Sequence, residues 1–368
     1  MTTEPAFASL VERARPRQVA GWHWGDGAAG VPVLPGEGTS DERAVEVSPD
    51  GGYVVAARRP GDLAGLPEGE AGSISNTAPA ETVSDLNALF RAANRKLAPG
   101  GRYEGHLETS ELRKARWFAA RPRWAALPLY VAHFVWHRVA PKLAPTRRLY
   151  LAVTGGRRQS ISKTEALGRL VYCGFKIVET WEADGALHFV AEKRGDPSPA
   201  PAPSTGPILK MKRVVRGGEV RTVYKLRTMH PYAEYLQAYV YASNALDENG
   251  KFKDDFRVAT WGRFLRRTWL DELPMLVNLV RGELKVFGVR PLSAHYLSLY
   301  PEDLAAQRLR HRPGLVPPLY ADLPVGLENI FESERRYLDA YERAPWTTDA
   351  RYLAKALRRI VFDRARSQ

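Results

Sequence analysis

Asp271 and Glu272 stand side by side in the run Arg263-Phe264-Leu265-Arg266-Arg267-Thr268-Trp269-Leu270-Asp271-Glu272-Leu273-Pro274, behind three arginines. That combination suits chemistry at phosphate. An ionised Asp can attack phosphorus or hold Mg²⁺, and guanidinium groups neutralise phosphate oxygens that would otherwise repel it. The spacing predicts a helix beginning at the pair: Asp271 as N-cap, Glu272 opening the helix, and Pro274 in the first turn, where its missing N–H is no loss. Leu273, Leu276, Val277 and Val280 follow the i, i+3, i+4, i+7 rule and predict one apolar stripe anchoring that helix, with Gly282 closing it. At the positive end of the helix dipole, both carboxylates are expected to be ionised. An ordinary capped surface helix shows the same local pattern, so the neighbouring motifs decide its meaning.

Those motifs come in order. Upstream stand Val223-Tyr224-Lys225-Leu226-Arg227-Thr228-Met229, Asp255-Phe256-Arg257-Val258 and Trp261-Gly262-Arg263-Phe264-Leu265-Arg266. Downstream stand Arg281-Gly282-Glu283-Leu284-Lys285-Val286-Phe287-Gly288-Val289-Arg290-Pro291 and Arg312-Pro313-Gly314-Leu315. Over about residues 205–320 this set resembles the bacterial sugar transferase family, the monotopic polyprenyl-phosphate glycosyl-1-phosphate transferases. The resemblance implies transfer of a sugar-1-phosphate from a UDP-sugar to polyprenyl (undecaprenyl) phosphate with Mg²⁺, opening surface-polysaccharide synthesis. It implies Asp271 as a nucleophile forming an aspartyl phosphosugar, with Glu272 beside it at the metal. Displacement at a diphosphate also needs fixed positive donors, and Lys225, Arg227, Arg266 and Arg290 are the candidate phosphate-binding residues.

The chain departs from the family pattern in three places. The usual Gly-Pro-Arg-Pro loop is Gly288-Val289-Arg290-Pro291, and the usual Asp-Pro-Arg is Asp255-Phe256-Arg257. Before Pro207, where the family has a long apolar segment that dips into the bilayer and returns, Asp196 to Thr205 is a Pro/Ala/Ser linker.

Composition sets broader bounds. The net charge is +13 over 368 residues; residues 201–368 hold 28 Lys+Arg against 19 Asp+Glu, net +9, which leaves +4 for residues 1–200. Such a balance favours anionic partners: nucleotide sugar, lipid phosphate or an anionic membrane surface. There is no zinc-finger spacing or RNA-binding aromatic motif, so no nucleic-acid partner is expected. Cys173 is the one cysteine, which points to a reducing compartment and, between Tyr172 and Phe175, to core packing. Met1 to Ala14 has no apolar h-region, and no run of about eighteen apolar residues predicts a transmembrane helix. The expected location is the cytoplasmic face of the bacterial inner membrane, peripheral or monotopic.

Four regions are expected: irregular 1–75, a Rossmann-like domain at 76–195, a Pro-rich linker at 196–206, and a compact α+β catalytic domain at 207–368. In the second, Asp85–Leu97 predicts an amphipathic helix followed by Pro99-Gly100-Gly101 and a strand at 102–107. Ser162-Lys163-Thr164-Glu165 spells a capping box for a helix reaching Tyr172, and strands at 175–181 and 186–192 flank an Asp184-Gly185 turn. Over about residues 80–195 this order resembles the C-terminal half of a class I methyltransferase. Gly25-Asp26-Gly27-Ala28-Ala29-Gly30 matches G-x-G-x-x-G, but Pro32 and Pro35 stand where the following helix should run. The expectation is a degenerate domain without methyl transfer.

Two segments are candidates for a membrane surface. Residues 124–137 carry no fixed charge between Arg123 and Arg138, are rich in aromatics and, at about 21 Å as a helix, are too short to span a bilayer. The alternative there is a buried helix covering the sheet. In 351–366, Leu353, Leu357, Ile360 and Val361 share one face among arginines, and packing on the catalytic domain is equally compatible. His133, His137, His188, His230, His295 and His311 form no metal-ligand pattern. In the catalytic domain, strands at 209–215 and 219–226 about Gly217-Gly218 should carry Lys225 toward Asp271. A non-catalytic scaffold that binds nucleotide sugar or glycan-assembly enzymes is the competing reading.

Overall fold

The computed structural model describes residues 45–48, 51–156, 159–243 and 255–362. The chain divides into two compact units, Met1–Pro203 with His230–Arg257, and Ser204–Met229 with Val258–Gln368. The segment 230–257, which the sequence assigned to the catalytic domain, thus folds with the first unit.

The first unit is a Rossmann-like α/β fold built on a six-stranded sheet. Its strands are β1 (Glu46–Val47), β2 (Tyr53–Val55), β3 (Ala71–Asn76), β4 (Leu97–Leu107), β5 (Phe175–Ala183) and β6 (Ala186–Lys193), in the order β1-β2-β3-β4-β6-β5. β2, β3 and β4 run parallel, and β6 lies antiparallel between β4 and β5. The helix Leu86–Lys96 makes the crossover from β3 to β4, capped as expected by Asp85, whose carboxylate accepts from Ala88 N–H at 3.0 Å. Its apolar face, with Leu86, Leu89 and Phe90, packs on Tyr103 and Phe189 of the sheet. The expected boundary at residue 75 falls inside this sheet, whose strands β1 to β3 are short and lie among Gly- and Pro-rich segments. The expected β5–β6 hairpin forms about Asp184 and Gly185, both at positive φ. Cys173 is buried in this core, which pushes its thiol up to about 11. The G-x-G-x-x-G match at 25–30 lies outside the described residues.

Gly168 explains how the segment 230–257 joins this unit. A Cβ there would lie 2.4 Å from the Tyr232 carbonyl oxygen, so the helix Lys163–Tyr172 accepts Tyr232 against its backbone only because position 168 is glycine. Tyr232, Leu236 and Val240 are then buried in the first unit's core. Ser162 caps that helix as predicted, accepting from Glu165 N–H at 3.2 Å. The other half of the capping box does not follow. Glu165 turns its carboxylate to Arg138 at 2.6 Å and Arg169 at 3.0 Å, because a buried carboxylate gains more from those cations.

Between β4 and β5 the chain forms the helices Ser110–Ala119, Arg123–Phe134 and Ala144–Thr154. The second corrects the reading of 124–137 as a buried cover for the sheet: Ala126 is its one buried residue, and Trp124 is 81% exposed.

The second unit is α+β. An antiparallel hairpin, β7 (Ile208–Val214) and β8 (Val220–Leu226), turns through Arg216–Gly218 as the sequence predicts. A two-stranded parallel sheet pairs β9 (Lys285–Phe287) with β10 (Gly314–Val316). Phe287, Leu304, Tyr320, Tyr337, Leu338 and Ala356 build the core beside the helices Leu327–Arg343 and Pro345–Phe362. In the segment 351–366, Tyr352 and Ala356 face this core and Leu353 packs partly against it, while Leu357 is exposed. That helix is therefore seated on the second unit by a face one residue away from the predicted one.

Candidate active site

The chain enters the site through the helix Thr260–Thr268. A Cβ at Gly262 would lie 1.9 Å from the Thr228 carbonyl oxygen, so glycine lets this helix sit directly on the backbone that follows β8. Four residues on, Arg266 Nε donates to Thr228 Oγ1 at 2.9 Å, which fixes the arginine beside the end of β8. Trp269 then adopts φ 62°, a left-handed conformation uncommon for a bulky residue, and its ring meets Tyr320 in the core at a 4.3 Å centroid distance.

Beyond that kink the dyad does not cap an α-helix. Leu270–Met275 is a 3-10 helix that contains Asp271, Glu272 and Pro274, followed by the α-helix Leu276–Val280. Trp269, not Asp271, holds the N-cap position. The reason is the left-handed turn at Trp269, which starts the helix one residue before the dyad. The apolar stripe is also reversed. Leu273, Leu276, Val277 and Val280 are 44–88% exposed, while Asp271, Glu272, Met275 and Asn278 are buried. Apart from Met275, which packs with Val223 and Leu284, this element buries its polar residues and displays most of its apolar ones.

Asn278 accounts for the inversion. Its Nδ2 donates to the Thr222 carbonyl at 2.7 Å and to Glu283 Oε2 at 2.6 Å, and its Oδ1 accepts from Tyr224 N–H at 3.2 Å. β8 is thereby stapled to the helix that bears the dyad. From the next position of β8, Lys225 Nζ donates to Glu272 Oε1 at 2.6 Å. Burial raises the Asp271 carboxyl above the usual range; Lys225 pulls it back and the neighbouring Glu272 charge pushes it further up. The expectation that the helix dipole would favour the ionised form is overridden by this desolvation.

The predicted site residues do not all converge. Asp271, Glu272 and Lys225 are in one cluster, and Arg266 acts on Asp271 electrostatically. Arg227 is buried and donates to the Gly206 carbonyl at 2.9 Å and to the Ser204 carbonyl and hydroxyl at 2.7 Å, so it holds the backbone entering the hairpin. Two residues after Lys225 it would share the lysine's face in a continuing strand, but β8 ends at Leu226 and Arg227 is buried. Arg290 lines a small cavity with Val215, Val289, Leu297, Arg308 and His311, and its carbonyl accepts from Arg308 Nη2 at 2.6 Å. Sequence reasoning missed Asn278, whose signal is a single polar residue inside Leu276-Val277-Asn278-Leu279-Val280, and Trp269, whose backbone conformation no local pattern encodes.

Among the described residues, no three His, Cys, Asp or Glu side chains are grouped to hold a metal. The two carboxylates of the dyad nonetheless fit Mg²⁺, which is commonly held by one or two carboxylates together with substrate phosphates and water.

The family model described as "Bacterial sugar transferase" matches residues 201–363. The chain is 30% identical over 131 residues to the galactosyl transferase CpsE of Streptococcus agalactiae, covering 35% of this chain and 27% of that protein. It is 29% identical over 141 residues to the undecaprenyl-phosphate galactose phosphotransferase of Salmonella typhimurium, covering 37% and 29%. It is 39% identical over 110 residues to the exopolysaccharide production protein ExoY of Sinorhizobium fredii, covering 28% and 48%. The aligned segment thus spans between about a quarter and a half of these relatives' own length. A solved S-adenosylmethionine-dependent methyltransferase from Mesorhizobium loti aligns over 34% of this chain and 64% of its own, at 15% identity and a TM-score of 0.22. At that score the likeness adds nothing to what the sheet order itself shows.

Proposed function

We propose that this chain, whose residues 201–363 match the bacterial sugar transferase family model, moves a sugar-1-phosphate from a UDP-sugar to a polyprenyl phosphate at a membrane surface. The observation that carries the reading is the buried Asp271-Glu272 pair with Lys225 seated on Glu272. A buried carboxylate of raised pKa costs stability, and a fold with no use for it is better served by an apolar side chain.

In this reading an Asp271 carboxylate oxygen attacks the phosphorus that bears the sugar. The bond from that phosphorus to the bridging oxygen breaks, uridine monophosphate leaves with the bond's electron pair, and an aspartyl phosphosugar remains. An oxygen of polyprenyl phosphate then attacks the same phosphorus and releases the Asp271 carboxylate. Lys225 and Arg266 supply positive charge for the oxygens of the transferring group without reorganisation during the reaction. Arg290 is assigned to phosphate on the strength of the family motif. Asp271 and Glu272 would hold Mg²⁺, which when bound neutralises diphosphate charge. The exposed Leu273, Leu276, Val277 and Val280 follow directly on the dyad and suit the apolar chain of the acceptor. We place the reaction on the cytoplasmic face, where nucleotide sugars are made.

The test is release of uridine monophosphate by purified protein in detergent with Mg²⁺, undecaprenyl phosphate and a panel of UDP-sugars, beside Asp271→Asn. Release that needs both lipid and Asp271 supports the assignment and names the sugar. Folded protein that releases nothing with any donor overturns it in favour of a binding scaffold.

A further inference from the structure

An apolar stripe at helical spacing ordinarily faces a core. Along the helix Arg123–Phe134 and the π turn Val135–Val139, Trp124, Leu127, Val131 and Val135 fall at i, i+3, i+7 and i+11 and share one face. They are 81, 54, 47 and 50% exposed. The helix Ala144–Thr154 adds Leu149 and Val153, one turn apart and 57 and 64% exposed. Helices that display such stripes need a cover.

Charge says what the cover is. Between Glu111 and Glu165 the sequence holds twelve Lys or Arg and no Asp or Glu; Arg113 and Arg116 pair with Glu108, and Arg138 and Lys142 with Glu165. Arg121, Arg123, Arg147 and Arg148 are exposed on these same helices or at their ends. Apolar side chains edged by these exposed arginines match an anionic lipid surface: acyl chains for the stripe, headgroup phosphates for the guanidinium groups. The helix Arg123–Phe134, at 12 residues, reaches about 18 Å, well short of a hydrocarbon core of roughly 30 Å, so it lies in the interface and does not cross. None of the described helices is long and apolar enough to span a bilayer.

We infer that the helices Arg123–Phe134 and Ala144–Thr154 seat this chain on anionic phospholipid. The inference rests on the membrane-surface reading above for its purpose. Its measurement needs no turnover, so the two fail separately.

The full chain is mixed with vesicles of phosphatidylcholine alone or with 30% phosphatidylglycerol and floated on a sucrose gradient. Wild type floats with the anionic vesicles, and 0.5 M salt weakens this at least fivefold. Leu127→Glu with Val131→Glu lowers the floated fraction about tenfold, and so does Arg147→Glu with Arg148→Glu; both substitute exposed positions and keep the wild-type melting temperature. Val178→Glu, on an exposed site of β5 in the same unit, floats like wild type. Equal flotation of all four proteins, or no flotation of wild type, overturns the inference. So does a wild-type dimer in light scattering without lipid that Leu127→Glu with Val131→Glu makes monomeric while flotation is unchanged, since the stripe then covers a second copy of the chain.

Discussion

Lys225 Nζ lies 2.6 Å from Glu272 Oε1, and this ion pair ties the end of β8 to the dyad. Both side chains are largely buried, at 14 and 9% exposure, so the lysine's charge acts at short range in a poorly screened setting. Removing it leaves two adjacent carboxylates facing each other. Lys225→Met should lower kcat by roughly 10²-fold, in the range expected for loss of one preorganised electrostatic donor. Because Lys225 holds the Asp271 pKa down against burial, the variant's Asp271 takes its proton at higher pH. The acid limb of the kcat/KM profile should therefore move upward. An unmoved limb with reduced kcat would place Lys225 on substrate alone.

Asp271→Asn should abolish turnover while leaving the protein as stable as wild type or more so at neutral pH. The folded-state pKa of Asp271 is raised, so the native state binds its proton more tightly than the unfolded chain does. Its contribution is favourable at low pH and is lost as pH rises through the folded pKa. Asparagine removes that cost, and the stability gain over wild type should shrink toward acid pH. Paired melts at pH 4.5 and 7.5 check the sign.

Asn278→Leu keeps the size of the side chain and loses all three of its bonds to Thr222, Tyr224 and Glu283. Buried groups left without a partner cost about 1–3 kcal/mol each, and some will recover a partner by relaxing. A destabilisation of roughly 3 kcal/mol is expected in denaturant unfolding. Turnover should fall as well, because the register of β8 against the dyad sets where Lys225 meets Glu272.

These three residues also show where the sequence could be read and where it could not. The approach of Lys225 to the Asp271-Glu272 pair is legible because Lys225 lies near the end of a strand that the hairpin must carry toward it. The β7–β8 hairpin was legible because Gly217-Gly218 breaks two extended runs. The helix after the dyad was misread because periodicity gives the phase of a stripe but not its direction, and Asn278, one polar atom set among apolar ones, chose the inward face. The segment 230–257 was assigned to the wrong unit since its seat depends on Gly168, sixty-four residues before Tyr232, and no local pattern carries that contact. A strand as short as Glu46–Val47 holds too few residues for alternation to show.

Gly168→Ala tests that seat. The added methyl would meet the Tyr232 carbonyl oxygen at 2.4 Å and its Cβ at 2.6 Å, and backbone on both sides leaves little room to yield. Overpacking of this kind costs typically 1–3 kcal/mol. Hydrogen exchange should rise across 232–240 more than in β3 or β4, which would show that the segment detaches before the sheet opens. Uniform acceleration through the first unit would mean that segment and sheet open together.

Glu165 is a buried carboxylate of the first unit paired with three cations, Arg138, Lys142 and Arg169. Burial alone would push its carboxyl up, yet Lys142, Arg138 and Arg169 hold it well below the usual carboxylate range. The same burial brings the Lys142 amine down to about 7, with Glu165 pulling it back up. A depressed carboxyl contributes stability that is present above its ordinary pKa and lost as pH falls through the folded value, so the Glu165 contribution persists well into acid. Lys142 has the opposite balance. Its folded pKa lies below the unfolded one, so its cost is full below about pH 7 and is relieved as pH rises toward 10. Glu165→Gln leaves three cations around a neutral amide, and breaking a buried ionic cluster from one side costs about 3–5 kcal/mol. Because the Lys142 amine then loses the group that favours its charged form, its pKa should drop further. The variant should therefore gain more stability than wild type between pH 6 and 8, a difference in slope that urea unfolding at several pH values would read directly. Equal slopes would show that Lys142 is held by groups other than Glu165.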